Sequence, residues 1–192
     1  MSWSSRPLIF CLLAVPALAG CDRKSPAPEQ ATAGAASPDE AAPAVSAPSA
    51  HLDRSHKGES MPATAFQTLD GKPATLARFG GKPLLVNLWA TWCAPCLKEM
   101  PTLDALARSD KVQVLPVSQD LDGAAKVKPY FAKAGLQTLR PALDPKLGLS
   151  LTYQANLPTS ILYDAAGKEV WRYTGGLDWT GKEATALLAE AG

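Results

Sequence analysis

Hydrophobic residues change their spacing several times after residue 60, and each change predicts a different element. Residues 83–90 are almost all apolar, as expected for a buried strand of a parallel sheet. From Pro95 onward, apolar residues recur every three or four positions, which is the period of a helix. Similar patterns predict strands at 65–69, 112–117, 159–163 and 169–173, a helix ending at Gly135 and a closing helix over 180–189. This order predicts an α/β fold with a mixed sheet.

The segment before these elements has a different composition. Residues 22–59 are rich in Ala, Pro and Ser and contain almost no large apolar side chain. Such a segment buries too little apolar surface to offset the entropy that is lost when a chain becomes ordered. We therefore expect a disordered tether over residues 21–58 and a single folded domain over 59–192.

The N-terminus has the pattern of an export signal. Arg6 supplies a positive charge, and the apolar stretch over 8–18 is too short to span a bilayer as a helix. The tetrapeptide Leu-Ala-Gly-Cys at 18–21 resembles the lipobox of bacterial lipoproteins, in which the cysteine is lipidated after cleavage. The pattern predicts a signal peptide over 1–20, a lipid on Cys21 and a periplasmic or extracytoplasmic location. An ordinary signal peptide followed by a free thiol is the alternative.

Charge and cysteine content reduce the number of possible functions further. The chain carries 19 basic and 18 acidic residues without a basic run, which argues against nucleic-acid binding. Of the four cysteines, Cys11 leaves with the signal peptide and Cys21 takes the lipid, so Cys93 and Cys96 are left in the mature domain. A pair this close in sequence constrains the unfolded chain little, and we interpret it as a redox centre.

The segment Cys93-Ala94-Pro95-Cys96 lies between a predicted buried strand and the start of a helix. A helix N-terminus offers unpaired N–H groups and the positive end of the dipole, both of which stabilise a thiolate. Cys93, with an exposed sulfur, is therefore the expected nucleophile. Cys96 is expected to be more buried and to attack the mixed disulfide, which releases the partner. Pro95 suits the first helical turn, where its missing N–H costs nothing.

Half of a zinc site is an alternative interpretation of the cysteine pair. Zinc in structural sites takes about four ligands. The chain has two histidines, His51 and His56, both in the expected tether, and no second cysteine pair in the domain. We therefore predict no metal and no cofactor.

The sequence from Asn87 to Pro101 resembles the active-site segment of the TlpA/ResA branch of thioredoxin-like proteins. The resemblance covers about residues 60–190. It implies a thioredoxin-like fold, with a central mixed sheet flanked by helices. It also implies a membrane-held, extracytoplasmic disulfide reductase.

Further site residues follow from this resemblance. Pro158 matches the family's cis-proline, which faces the cysteine pair, and the backbone of Leu157 is expected to pair with an extended substrate. A proline that only joins a loop to a strand is the alternative. Trp92 is expected at the exposed rim beside the cysteines, where it contacts substrates together with Ala94 and Pro95.

Two polar residues concern the proton of the buried thiol. Asn87 stands where cytosolic thioredoxins have a buried aspartate, and the TlpA/ResA branch has a glutamate that matches Glu99. Glu99 follows Cys96 by three residues and therefore lies on the same side of the helix. A proton-transfer group and a solvated carboxylate are equal alternatives for Glu99. Trp179 is interpreted as a packing residue.

Together these residues predict an enzyme that reduces disulfides in exported proteins, with apocytochrome c as the leading substrate. The Ala-Pro dipeptide lacks the histidine of strongly oxidising centres, which favours a reductant. A reductant outside the cytoplasm must be recharged, which implies a membrane electron donor of the DsbD or CcdA kind. A non-catalytic peptide-binding or assembly module on the same fold is the alternative.

Overall fold

The structure, a computed structural model, describes residues 50–192. The predicted signal peptide, Cys21 and most of the expected tether lie outside the described residues. The strands are β1 His51–Asp53, β2 Phe66–Thr68, β3 Pro73–Ala74, β4 Leu84–Trp89, β5 Gln113–Ser118, β6 Ala142–Leu143, β7 Thr159–Tyr163 and β8 Glu169–Thr174. The helices are α1 Ala94–Arg108, α2 Ala124–Ala134, α3 Gly148–Tyr153 and α4 Lys182–Leu188, with short 3-10 turns at Leu76–Phe79 and Ala189–Ala191.

All eight strands form one sheet in the order β1-β8-β7-β4-β5-β6-β2-β3. β4 runs parallel to β5, and β5 runs parallel to β6. The remaining neighbours are antiparallel, including β4 with β7 and β7 with β8. The mixed α/β sheet that the sequence predicts is therefore confirmed, with β4 near its centre.

The side chains of β4 separate the core into two layers because successive residues of a strand point to opposite faces. Leu85 and Trp89 pack in one cluster with apolar residues of α1, α2 and α4. Leu84, Val86 and Leu88 pack in a second cluster, with apolar residues of α3. Helices therefore cover both faces of the sheet.

The folded part begins earlier than the composition predicts. Residues 51–58 contain Leu52 as their only large apolar side chain, and the sequence places them in the tether. In the structure, β1 lies at the sheet edge with His51 opposite Thr174 of β8. The following turn is tied to the same strand, since the Gly58 N–H donates to the Glu169 carbonyl at 2.7 Å. Main-chain hydrogen bonds to an existing strand order this segment, and residue composition does not report them.

Helix α2 ends where the sequence predicts, at Gly135, which adopts a left-handed conformation with φ of 68°. Helix α1 continues through Pro101 as a single helix. Within residues 50–192, no helix is both long and apolar enough to cross a membrane.

Candidate active site

The two cysteines lie at the start of α1 and are joined by a disulfide bond. Cys93 is the N-cap residue of the helix, and its Sγ accepts a hydrogen bond from the Cys96 N–H at 3.4 Å. The same N–H and the helix dipole would stabilise a thiolate on Cys93 after reduction. Cys93 is 6% exposed and Cys96 is 0% exposed. Cys96 is the more buried of the two, as predicted, but the exposed sulfur expected of Cys93 is not found in the disulfide form, where Cys93 is buried.

The loop that carries Cys93 is held by a buried carboxylate. Asp120, at the end of β5, accepts hydrogen bonds from the Thr91 N–H at 3.0 Å and from the Thr91 hydroxyl at 2.6 Å. The Ser118 hydroxyl also donates to Asp120, at 2.7 Å. The Cys93 N–H closes the turn by donating to the Ala90 carbonyl at 3.2 Å. The loop is thus fixed to the strand beside it before the helix begins.

Glu99 is buried, at 3% exposure, on the first turns of α1. Its Oε1 accepts a hydrogen bond from Asn87 Nδ2 at 2.8 Å. Its Oε2 accepts from the Leu177 N–H and from Trp179 Nε1, both at 3.1 Å. This geometry contradicts the interpretation of Glu99 as a solvated carboxylate.

Burial raises the pKa of Glu99 to about 7. The three hydrogen bonds from Asn87, Leu177 and Trp179 act in the opposite direction, since each stabilises the ionised carboxylate, but the loss of hydration outweighs them. A carboxyl group with a pKa near neutrality can both accept and release a proton under physiological conditions.

An open groove of about 590 Å³ runs past the cysteine segment, and Pro95, Glu99 and Pro158 contribute to its lining. The Leu157–Pro158 peptide bond is cis, in agreement with the expectation from the family resemblance. Pro158 itself is buried, and its carbonyl accepts a hydrogen bond from the Gly175 N–H at 2.8 Å. The groove therefore brings together three of the residues that the sequence predicts for the site.

The other predicted contact residues lie around this groove or apart from it. Ala94 is exposed at the first position of α1, and Leu157 is half-buried against both core clusters. Trp92 is 70% exposed, as predicted, and lines a separate small hollow together with Leu121, which is 71% exposed. Trp92 is thus available to a partner, on a surface distinct from the groove.

The two histidines belong to the folded part, which corrects their assignment to the tether. His51 lies in β1, and His56 lies in the turn after it, where its Nδ1 is 3.0 Å from Glu59 Oε1. Both line a polar hollow whose lining residues are all different from those of the groove. Among residues 50–192, no group of three or more His, Cys, Asp or Glu side chains is arranged to hold a metal ion.

Four contacts of the site carry no signal in the sequence. Trp179 does pack in the core, as predicted, but it also donates to Glu99. The Leu177 N–H belongs to a loop, and Ser160 lies opposite Asn87 in the sheet. The sequence marks Asn87 only as the replacement of an aspartate, whereas in the structure its amide donates directly to Glu99.

A mixed sheet with a cysteine pair at a helix N-terminus and a cis-proline beside it defines a thioredoxin-fold thiol–disulfide oxidoreductase. Residues 56–188 match the family model described as Redoxin. This match covers more than half of the chain, and the chain belongs to the redoxin family.

Named relatives agree with this assignment. The chain is 34% identical over 122 residues to the thiol-disulfide oxidoreductase ResA of Bacillus anthracis, covering 62% of this chain and 69% of that protein. It is 34% identical over 138 residues to the thiol:disulfide interchange protein HelX of Rhodobacter capsulatus, covering 69% and 77%. The crystal structure of the exposed lipoprotein thioredoxin of Streptococcus pneumoniae superposes with a TM-score of 0.55 at 28% identity, covering 66% and 97%. The TlpA/ResA-like resemblance is confirmed.

Proposed function

We propose that this protein reduces disulfides in exported proteins on the extracytoplasmic side of a membrane, using Cys93, Cys96 and Glu99. The observation that carries the proposal is a cysteine pair at a helix N-terminus with a buried carboxyl group three residues further along the same helix. The N-cap position activates one thiol, and the buried carboxyl group provides a proton acceptor within the protein.

The first chemical step uses the Cys93 thiolate. It attacks one sulfur of the substrate disulfide, so that a Cys93–substrate disulfide forms and the other substrate sulfur leaves as a thiolate. Cys96 then loses its proton and attacks the Cys93 sulfur. The second substrate sulfur leaves, and the Cys93–Cys96 disulfide of the structure remains. Two electrons pass from the cysteine pair to the substrate.

Glu99 serves the second step by accepting the proton of Cys96, directly or through a water molecule. Glu99 lies one helical turn beyond Cys96, on the same side of α1. Its pKa of about 7 leaves a substantial fraction ionised at neutral pH, and this fraction is the base. A carboxylate of ordinary pKa would be a weaker base for a thiol proton.

The substrate segment binds in the groove beside Pro158. An extended peptide that follows the groove passes Pro95 and Pro158. The main chain of Leu157, next to Pro158, pairs with it, and Ala94 and Trp92, which lie outside the groove lining, contact the part that continues over the cysteines. Main-chain pairing with such a segment is independent of its side chains, which suits an enzyme that acts on several partners.

The direction of electron flow and the location complete the proposal. The Ala-Pro dipeptide favours a reductant, which a membrane electron donor of the DsbD or CcdA kind recharges, and apocytochrome c is the leading substrate. A lipid on Cys21 holds the protein at the membrane. The likeness to an exposed lipoprotein thioredoxin supports this attachment.

Trapping of partners tests the assignment of the two thiols. In Cys96→Ser the mixed disulfide on Cys93 has no internal thiol to resolve it, so envelope proteins should remain attached and disappear from the adduct on reduction. Cys93→Ser is the matched control and should trap little. Partners with a Cys-x-x-Cys-His segment would support apocytochrome c, whereas trapping by Cys93→Ser would reverse the assigned roles.

A peptide-binding module without catalysis is the competing function. The wild type should reduce insulin with dithiothreitol as the electron source, and a double Cys→Ser variant should not. A biological role that survives loss of both thiols would favour the binding module.

The anchor has its own test in the Cys21→Ser variant. Two acyl chains or more are needed for stable anchoring, and the lipoprotein pathway supplies them. The variant should move from the membrane fraction to the soluble envelope fraction. An unchanged distribution would exclude Cys21 as the attachment point.

A further inference from the structure

Asn87 lies in the middle of β4 and is fully buried, at 0% exposure. Its Nδ2 donates to Glu99 Oε1 at 2.8 Å and to Ser160 Oγ at 2.9 Å. Ser160 is its direct neighbour across the β4–β7 pair and is 1% exposed. Both Nδ2 protons therefore donate hydrogen bonds, one to Glu99 and one to Ser160.

The other side of the amide has no partner. Asn87 Oδ1 is buried and accepts no hydrogen bond from any of residues 50–192. An unpaired buried acceptor costs about 1–3 kcal/mol, so such a group in a native core calls for an explanation. Because Oδ1 has no partner in the observed orientation, the hydrogen bonds that fix this orientation are those with Glu99 and Ser160.

The hydrogen-bond donors around Glu99 suit only its ionised form. Asn87 Nδ2, the Leu177 N–H and Trp179 Nε1 all donate to the carboxylate. Once Glu99 takes up a proton, its O–H needs an acceptor. A main-chain N–H and an indole N–H cannot become acceptors, whereas an amide side chain can, because its oxygen and nitrogen exchange places when it turns over.

Turning the Asn87 amide by 180° about its Cβ–Cγ bond changes its chemistry without changing its shape. The oxygen then occupies the place of Nδ2, with two lone pairs that face Glu99 and Ser160. The Ser160 hydroxyl accepts from the amide in one orientation and donates to it in the other, because a hydroxyl can do both.

We propose that Asn87 is a positioning residue with two orientations, donating to Glu99 and Ser160 when Glu99 is ionised and accepting from both of their hydroxyls when Glu99 is protonated. Glu99 then exchanges a proton without moving its heavy atoms and without a lost hydrogen bond. This inference deepens the proposed function, since it concerns how Glu99 carries the proton of Cys96.

Other titratable groups face Glu99 from several elements. Lys98 of α1 and Asp178 of the loop before α4 line the groove beside it, and Tyr173 of β8 is near enough for the charge of Glu99 to raise its pKa. Cys96 lies one turn away on α1. Burial is the cause that raises the pKa of Glu99.

Nuclear magnetic resonance of the disulfide form tests the two orientations directly. Above the titration midpoint of the Glu99 carboxyl carbon, the Asn87 side-chain NH₂ protons should show Overhauser contacts to the Glu99 Hγ and Ser160 Hβ protons. Below the midpoint these contacts should be lost. The pH at which they disappear should equal the titration midpoint of the Glu99 carboxyl carbon. The same contacts at both ends of the titration, or a different midpoint, would overturn the proposal. Neither cysteine titrates in this form, so the result is independent of reductase activity.

Two substitutions of similar size distinguish the hydrogen bond that Asn87 donates to Glu99 from the packing of the Asn87 side chain. Asn87→Asp keeps the acceptors, removes the donors and adds a second carboxyl group, so the Glu99 midpoint should rise by about one pH unit or more. Asn87→Leu removes donor and acceptor together, and both protonation states of Glu99 lose one hydrogen bond. Its shift should be clearly smaller. Equal shifts in the two variants would show that Asn87 only fills space.

Discussion

Two glutamates of this protein are equally buried and have opposite surroundings. Glu99 and Glu169 are each 3% exposed. Glu169 forms a bidentate ion pair with Arg172, at 2.6 and 3.0 Å, and the guanidinium also lies 5.0 Å from the centre of the Tyr153 ring. Glu99 makes no ion pair within residues 50–192 and has only neutral donors around it.

The comparison shows what separates a structural carboxylate from one suited to proton transfer. The charge of Glu169 is compensated by a fixed cation, the Arg172 guanidinium three residues further along β8. The charge of Glu99 is not compensated, and burial therefore raises its pKa to about 7. Equal burial accompanies an ion pair in one place and a carboxyl group of raised pKa in the other, and the difference lies in the partner.

Removal of the cation should have the largest effect on stability. Arg172→Met leaves Glu169 buried without its partner, and breaking a buried ion pair in this way costs about 3–5 kcal/mol of unfolding free energy. Denaturant unfolding measures the loss. Insulin reduction by the fraction that remains folded should be unchanged, because Arg172 lines the polar hollow and not the groove.

The same substitution at an exposed ion pair is the control. Arg54 pairs with Glu190, and their side chains are 45% and 31% exposed, so Arg54→Met should hardly change the stability. If Arg172→Met were equally mild, Glu169 would not depend on its cation and the contrast with Glu99 would fail.

Glu99→Gln should change how stability depends on pH. The pKa of Glu99 is about 7 in the folded protein and 4.5 as an ordinary glutamate, so between these values the folded state binds more protons than the unfolded state. The contribution of Glu99 is fully present below pH 4.5 and is lost as the pH rises through 7. The stability of the wild type relative to Glu99→Gln should therefore fall by about 3 kcal/mol across this window.

Unfolding curves at several pH values measure this difference. Glu183→Gln, an exposed position on α4, is the control and should follow the wild type throughout. Parallel pH profiles for the wild type and Glu99→Gln would mean that Glu99 is already ionised across the range and is unsuited to carry the proton of Cys96.

Long elements of the fold were predictable from the sequence because burial imposes a period on them. β4, β5, β7, β8, α1 and α2 each carry this signal over five residues or more. β1, β3, β6 and α3 were not predicted, and they contain only two to six residues. Two of these strands are ordered by hydrogen bonds with strands that are distant in sequence, β1 with β8 and β6 with β2 and β5.

The candidate site also contains residues that a local pattern identifies and contacts that it does not report. The motif and the family resemblance identify Cys93, Cys96 and Pro158, since these residues are tied to a local pattern. The burial of Glu99 depends on donors 12, 78 and 80 residues away. No spacing within α1 reports these distant partners, and the sequence therefore leaves two alternatives for Glu99 where the structure leaves one.

The smallest expected effect comes from a single donor to Glu99. Trp179→Phe keeps most of the packing but removes the Nε1–H that donates to Glu99 Oε2 at 3.1 Å. A hydrogen bond to a charged group contributes about 1.5 kcal/mol or more, and its loss should raise the pKa of Glu99 by about one unit. The titration of the Glu99 carboxyl carbon in the disulfide form measures the shift.

Trp171 is the matched control for Trp179. Trp171 is as deeply buried as Trp179. Its Nε1 donates to the Leu187 carbonyl at 3.1 Å and not to Glu99. Trp171→Phe should therefore loosen the core to a similar extent while leaving the Glu99 midpoint in place. Equal midpoints in both variants and the wild type would mean that the indole of Trp179 only packs. In that case the ionised form of Glu99 would depend on Asn87 and the Leu177 N–H alone, which makes the amide of Asn87 the main determinant of its proton.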